Sequence, residues 1–383
     1  MSAVTTEVKS ERIAATLDAR TLLNLLYEKS YLLSLLGIIA LGLLLRLVTI
    51  DASGLWFDEL ASVDGAQLGF PGIFTERFGF YSNQTPWHYL LVWLTLAPAD
   101  PTQTTFFLRL PSLLAGVLLL PAVYALGRET FGRTAGLIAA LLCALSTLLI
   151  NYSQEARPYA LLALFTTLSL YCLLVAERTG RAGYWLGFTA ASVANMLNTA
   201  LAATFVMPAL APYLFWLLIK GWRRRREQPK ILRYLIPSLT ILGLTFLWAM
   251  LDLRSVSNAS LDLSEVSVAA FVTTVITSVF QLAQFNLPGQ AELYLQGLLA
   301  LLAFFGCYMG VRKGGDAGRG ALLLGSVLFV TVLETTLVSA SRVVYSRYLL
   351  YLAPIYFLLA AHVVSWLLTN MLREGKAAPR PRR

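Results

Sequence analysis

Residues 31–50 read YLLSLLGIIALGLLLRLVTI, with Arg46 as the single charge and no proline. A helix needs roughly 20 apolar residues to cross about 30 Å of hydrocarbon, so this run predicts a membrane span. The preceding stretch mixes Glu7, Lys9, Glu11, Arg12, Asp18, Arg20, Glu28 and Lys29 with apolar residues. It is too long and too acidic for the basic leader of a signal peptide, and no small-residue cleavage site follows the run. Residues 1–30 therefore read as a cytoplasmic amphipathic segment ahead of a retained first span.

Working outward, similar runs occupy 107–127, 135–150, 159–176, 184–197, 201–219, 231–251, 293–311, 321–339 and 348–368. About ten spans result, with 184–197 short, and they predict an all-α polytopic membrane bundle over 31–370. Composition agrees: the 383 residues are 57% hydrophobic and 13% charged, with mean hydropathy +0.67. Soluble domains carry about 25% charged residues, so a soluble, disordered or disulfide-rich secreted chain is excluded. Cys143, Cys172 and Cys307 lie inside apolar runs without CxxC spacing and read as packing residues. His88 and His362 are far apart, which disfavours a histidine-based metal site.

The net charge of +9 is unevenly placed. Arg128 and Arg133, Arg178 and Arg181, Lys220 with Arg223 to Arg226 and Lys230, Arg312 with Lys313 and Arg319, and the basic tail over 371–383 occupy alternate connections. The positive-inside rule puts these loops and both termini in the cytoplasm. They read as topology determinants that contact lipid headgroups, and they do not point to nucleic acid. The outward connections are then 51–105, 151–158, 252–290 and 340–347. Residues 87–96 are apolar but too short to cross. A crossing there would move every later basic cluster outside, so they read as an interfacial helix with Trp87, Tyr89 and Trp93 at headgroup level.

The outward side carries the candidate chemistry. In the first loop, Gly54-Leu55-Trp56-Phe57-Asp58-Glu59-Leu60 sets two adjacent carboxylates after an aromatic trio. Adjacent residues on a helix point about 100° apart, so Asp58 and Glu59 cannot clamp one atom together. Capping a helix that starts after Trp56 would also suit both acids. In the second connection, Glu155 and Arg157 sit beside hydrocarbon, where a charge costs about 2.5–3.5 kcal/mol and normally has a partner or a task. Arg342 and Arg347 in the last loop, with Tyr345 and Tyr348 beside them, defy the inside bias. A phosphate is the natural partner for such guanidinium groups, while snorkelling to headgroups explains them equally well. Arg46 and Arg109 at outer helix ends read as structural. Acids from an early loop and arginines from later ones suit glycosyl transfer from a lipid-phosphate donor. The phosphate leaves without a proton, so one carboxylate acting on the acceptor hydroxyl suffices. A glycosidase would need a second carboxyl across the bond.

These residues also resemble a known family. Leu55-Trp56-Phe57-Asp58-Glu59 is similar to the first-loop Asp-Glu motif of the GT-C superfamily, in the glycosyltransferase family 39 branch of protein O-mannosyltransferases, aminoarabinose transferases and bacterial relatives. Gln84-Thr85-Pro86-Trp87-His88-Tyr89 resembles the family's (Gln/His)-Pro-Pro-x-x-Tyr helix start, with Thr85 in place of the first proline. Arg109-Leu110-Pro111-Ser112, Phe131-Gly132-Arg133, Tyr152 through Tyr159 and Ser346 through Pro354 resemble later family segments.

The resemblance implies a GT-C-like bundle of about ten helices, with short interfacial helices in an outward first loop. It implies an inverting membrane glycosyltransferase that uses a polyprenyl-phosphate sugar at the outer face of the cytoplasmic membrane. Asp58 would be the base and Glu59 would shape the pocket. Arg157, Arg347 and Arg342 would hold the donor phosphate, and Gln84, His88, Glu155, Tyr159 and Tyr348 would line the rim. The acceptor would be a lipid, a polysaccharide or a protein. Metal use varies across the superfamily, and the sequence supplies no cage for a divalent ion, so no cofactor is required on this reading. Two other classes remain open: a lipid or solute carrier or flippase, and a lipid-diphosphate-dependent glycan ligase or polymerase.

Overall fold

A computed structural model describes residues 29–52, 54–75, 85–96, 104–226, 229–254, 273, 281–339 and 345–377. The predicted N-terminal segment up to residue 28, most of the 252–290 loop and the end of the basic tail lie outside the described residues. Among the described residues the regular elements are helices. Helix α1 (Lys29–Leu47) is followed by the short helices α2 (Phe57–Gln67), α3 (Gly69–Thr75) and α4 (Pro86–Leu96). The chain continues through α5 (Thr104–Thr130), α6 (Arg133–Leu145), α7 (Thr147–Ser153), α8 (Tyr159–Thr179) and α9 (Ala182–Asn198). A π-helical turn (Ala202–Val206) leads into α10 (Met207–Arg223), then α11 (Pro229–Arg254), α12 (Gln290–Lys313) and α13 (Gly315–Ser339). A 3-10 turn (Ser346–Leu349) precedes α14 (Leu352–Ala377).

Each of the ten predicted apolar runs is helical over most of its length, the 135–150 run in two pieces. Among the described residues, eight helices are long and apolar enough to span a membrane, and α6 with α7 makes a ninth across a 63° bend. At 17 residues, α9 rises only about 25 Å, the shortness anticipated for 184–197. The 135–150 run is not one continuous helix. Ser146 adopts an extended backbone (φ −64°, ψ 117°) and its hydroxyl caps α7 by accepting from the Leu149 N–H. The freed Thr147 N–H donates to the Gln284 carbonyl at 2.8 Å, so a contact remote in sequence holds the break. Helix α4, eleven residues long, rises about 16 Å, too little to cross. It packs on α2, α3 and α5, with Tyr89 against Gly65.

Helix α8 packs on α5 and α9, and α14 on α6 and α12. Residues 351–363 of the α14 region are buried without a break, while α12 leaves Leu293, Leu298, Leu301 and Phe304 exposed as a lipid-facing stripe. Small residues set the closest approaches, as expected where lipid tails compete with side chains for apolar contact. Gly127 lies on Gly136 between α5 and α6, and Gly306 of α12 lies on the Leu359 carbonyl of α14.

The two ends of the bundle differ in chemistry. At one end Arg178 pairs with Glu129, and the buried Glu177 takes Lys220 Nζ and the Tyr213 hydroxyl, both at 2.6 Å. The other end gathers α2, α4, the C-terminal end of α1, the N-terminal ends of α5 and α8, and the Ser346–Leu349 turn. A methyl group at Gly306 would collide with the Leu359 carbonyl, so Gly306→Ala should lower stability by about 1–3 kcal/mol. Gly243, with nothing within 4 Å of a Cβ, should accept alanine without loss. Thermal unfolding of the detergent-solubilised protein compares the two variants.

Candidate active site

Helix α2 starts at Trp56, whose extended backbone (φ −98°, ψ 170°) turns the chain into the helix. Glu59, in the first turn, is fully buried. Arg109, from the first turns of α5, meets it in a fork: Nε to Oε1 and Nη2 to Oε2, each at 2.8 Å. Glu59 Oε1 also accepts the Ala156 backbone N–H at 2.9 Å, and Oε2 receives the Trp56 N–H at 3.5 Å. Arg109 donates further to the carbonyls of Ile50 and Gly54. A charge leaves water at tolerable cost only when paired and hydrogen-bonded, and both members of this pair are.

The 154–158 turn is tied down at successive groups. The Ala156 carbonyl accepts from the Ser62 hydroxyl at 2.8 Å and from His88 Nε2 at 3.3 Å. Ser112 Oγ donates to the Arg157 carbonyl and Asn198 Nδ2 to the Pro158 carbonyl. Gln154 Nε2 reaches back to the Arg46 carbonyl and Thr49 Oγ1. Burial, with the nearby Arg157 charge, pushes the His88 imidazole down to about 3. The ring is therefore neutral, with the Nε2 proton on the Ala156 carbonyl.

Asp58 is the adjacent residue, and its carboxylate points the other way. Arg157 Nη2 and Arg347 Nη2 each lie 3.6 Å from its Oδ2. Both contacts are longer than a hydrogen bond, and among the described residues Oδ2 is buried without one. Arg157 is anchored elsewhere, by Nη1 on the Asp58 backbone carbonyl at 3.1 Å and Nη2 near the Tyr159 hydroxyl at 3.5 Å. The Arg347 guanidinium sits among three rings, 4.4 Å from the Tyr345 centroid and 5.6 Å from those of Trp56 and Tyr348. Tyr159 lies against Tyr152 and Tyr348. Burial, reinforced by the neighbouring Glu59 carboxylate, raises the Glu155 carboxyl to about 7 although Arg347 and Arg157 oppose the rise.

The structure thus brings Asp58, Glu59, Glu155, Arg157, Tyr159, Arg347 and Tyr348 together. Glu59 is enclosed with both oxygens engaged, a different position from its neighbour's, and it also closes the start of α2 as the capping alternative required. His88 lies behind the 154–158 turn, buried, and not on an open rim. Gln84 and Arg342 lie outside the described residues. Sequence reasoning set Tyr345 and Tyr348 beside Arg347 and missed Trp56 as its third ring partner. It placed Arg109 as structural without naming Glu59 as its partner. Chemically, two guanidinium groups converge on one carboxylate, each 3.6 Å from its Oδ2, a concentration of positive charge that suits an anion.

Arg109→Ala would leave Glu59 buried and unpaired, and should cost about 3–5 kcal/mol. Asp58→Asn, at a side chain 21% exposed with loose contacts, should shift stability far less. Chemical unfolding in detergent separates these outcomes.

Residues 83–251, under half of the chain, match the family model described as dolichyl-phosphate-mannose-protein mannosyltransferase. No curated protein matches the sequence. Among solved structures, ArnT from Cupriavidus metallidurans in its apo state superposes with TM-score 0.59 at 17% identity, over 86% of this chain and 59% of that one. The Archaeoglobus fulgidus oligosaccharyltransferase in its apo form gives TM-score 0.57 at 15% identity, over 92% of this chain and 52% of that one. The chain therefore spans less than two thirds of the length of these relatives. The same ArnT has been solved bound to undecaprenyl phosphate, and the archaeal enzyme AglB in complex with an inhibitory peptide and a dolichol-phosphate.

Proposed function

We propose, for a chain whose fold is that of the GT-C membrane glycosyltransferases, that it transfers a sugar from a polyprenyl-phosphate donor to an acceptor hydroxyl. The observation that carries this reading is the placement of Asp58 Oδ2 3.6 Å from both Arg157 and Arg347. A phosphate entering there takes over guanidinium donors that Asp58 engages only loosely, and the carboxylate is freed towards the acceptor.

The acceptor oxygen then attacks the anomeric carbon opposite the phosphate, inverting that centre, and its proton passes to Asp58. The bond from carbon to phosphate oxygen breaks, the electron pair stays on the phosphate, and Arg157 and Arg347 stabilise the growing charge. Tyr159 and Tyr348 pack on each other beside the same cluster. Glu59 acts through position, holding α2 so that Asp58 faces the arginines. Lipid, polysaccharide and protein hydroxyls all satisfy this chemistry as acceptors.

The sidedness follows from the charge asymmetry of the bundle. The end with Arg128, Arg133, Arg178, Lys220 and Arg223 to Arg226 belongs in the cytoplasm by the positive-inside rule, and the Asp58 end then faces outward. Exposed Trp56, Phe57, Phe70, Phe74 and Trp87 around α2 to α4 suit the outer membrane–water interface.

Asp58→Asn should abolish sugar transfer by the purified protein while leaving it folded, and near-normal turnover would remove Asp58 as the base. Arg157→Ala and Arg347→Ala should each weaken polyprenyl-phosphate binding on the order of 10- to 100-fold, the effect of losing a charged hydrogen bond. Unchanged affinity in both would reduce these arginines to structural ion pairs.

A further inference from the structure

We infer that Glu155 is a further binding residue for the donor: in its protonated form its carboxyl O–H donates a hydrogen bond to the phosphate held by Arg157 and Arg347, and in its ionised form it opposes that phosphate. The inference rests on the proposed seat of the phosphate between those two arginines.

Three observations lead to it. Glu155 belongs to the turn whose next residue is fixed through both backbone groups, Ala156 N–H on Glu59 and Ala156 C=O on Ser62 and His88. The Glu155 carbonyl itself accepts the Arg157 N–H at 2.8 Å, so the backbone that carries its side chain is held beside Arg157. Glu155 Oε2 is buried without a hydrogen-bond partner among the described residues. Buried polar atoms in folded proteins are overwhelmingly paired, so an orphaned one at the edge of a candidate site calls for a ligand.

The third observation is charge. The ionisable groups that act on Glu155 are Glu59, Asp58, Arg157, Arg347 and the Tyr152 phenol. Glu59 and Arg109 form an ion pair of zero net charge, which leaves two arginines against Asp58 and Glu155 in the charge balance of the cluster. With both acids ionised the cluster is neutral and offers a phosphate no net attraction. With Glu155 protonated it carries one positive charge, the complement of a sugar phosphodiester. Burial and the Glu59 carboxylate hold Glu155 near 7, so the protonated form is abundant at neutral pH.

The test is the pH dependence of binding of farnesyl methyl phosphodiester, which keeps one negative charge throughout, to the full chain in nanodiscs. For the native sequence the dissociation constant should be flat well below pH 7 and climb above it towards one decade per pH unit, roughly 30-fold by pH 8.5, as one linked proton requires when the ionised form does not bind. Glu155→Gln keeps a hydrogen-bond donor without a titrating group and should bind with low-pH affinity across the range. Glu155→Asp, kept in reserve should the glutamine variant fail to fold, should retain an alkaline limb. A flat native profile, or the same limb in Glu155→Gln, overturns the assignment of Glu155 and leaves the phosphate site standing. Absence of diester binding at every pH, with Arg157→Ala and Arg347→Ala indistinguishable from the native chain, fails the donor reading itself and the Glu155 inference with it.

Discussion

A carboxylate removed from water costs several kcal/mol unless its charge is matched and its lone pairs are filled. Glu59 meets both conditions through the Arg109 fork and the Ala156 N–H. That pair joins α2, α5 and the 154–158 turn at one point. It also decides where Asp58 goes. Neighbouring side chains on a helix diverge by about 100°, so driving Glu59 into the interior turns Asp58 towards Arg157 and Arg347. The arrangement of the site follows from this one buried ion pair.

The electrostatics of the cluster distinguish it from a carrier's ion site. A carrier places its charged groups near mid-membrane, between elements that rock against one another. Here Asp58, Glu155, Arg157 and Arg347 lie at one end of the bundle. At the opposite end, α8, α10 and α13 are tied together by Glu177 with Lys220 and Arg319. Glu334 of α13 is the acid that stands within a late span, and its Oε2 is buried without a partner among the described residues.

Much of this was legible in the sequence because charge is costly beside hydrocarbon. Asp58, Arg157 and Arg347 stood out against apolar surroundings, and the short 87–96 segment betrayed itself by length and parity. The pairing of Glu59 with Arg109 was not legible, since the sequence does not say which of two adjacent acids meets a guanidinium fifty residues away. The break at Ser146 escaped notice because a backbone bond to Gln284 sustains it, and no local proline or glycine marks it. His88 resembled a rim residue in its motif, yet it is buried against the Ala156 carbonyl. Of the rings around Arg347, Tyr345 and Tyr348 are its sequence neighbours, while Trp56 arrives only once the helices have packed.

The most direct measurement is an experimental structure of the protein in nanodiscs with undecaprenyl phosphate bound. The account predicts phosphate oxygens within roughly 3 Å of guanidinium nitrogens of both Arg157 and Arg347, with the Asp58 carboxylate displaced towards open solvent. A phosphate bound elsewhere, with Asp58 still lying between the two arginines, would contradict it.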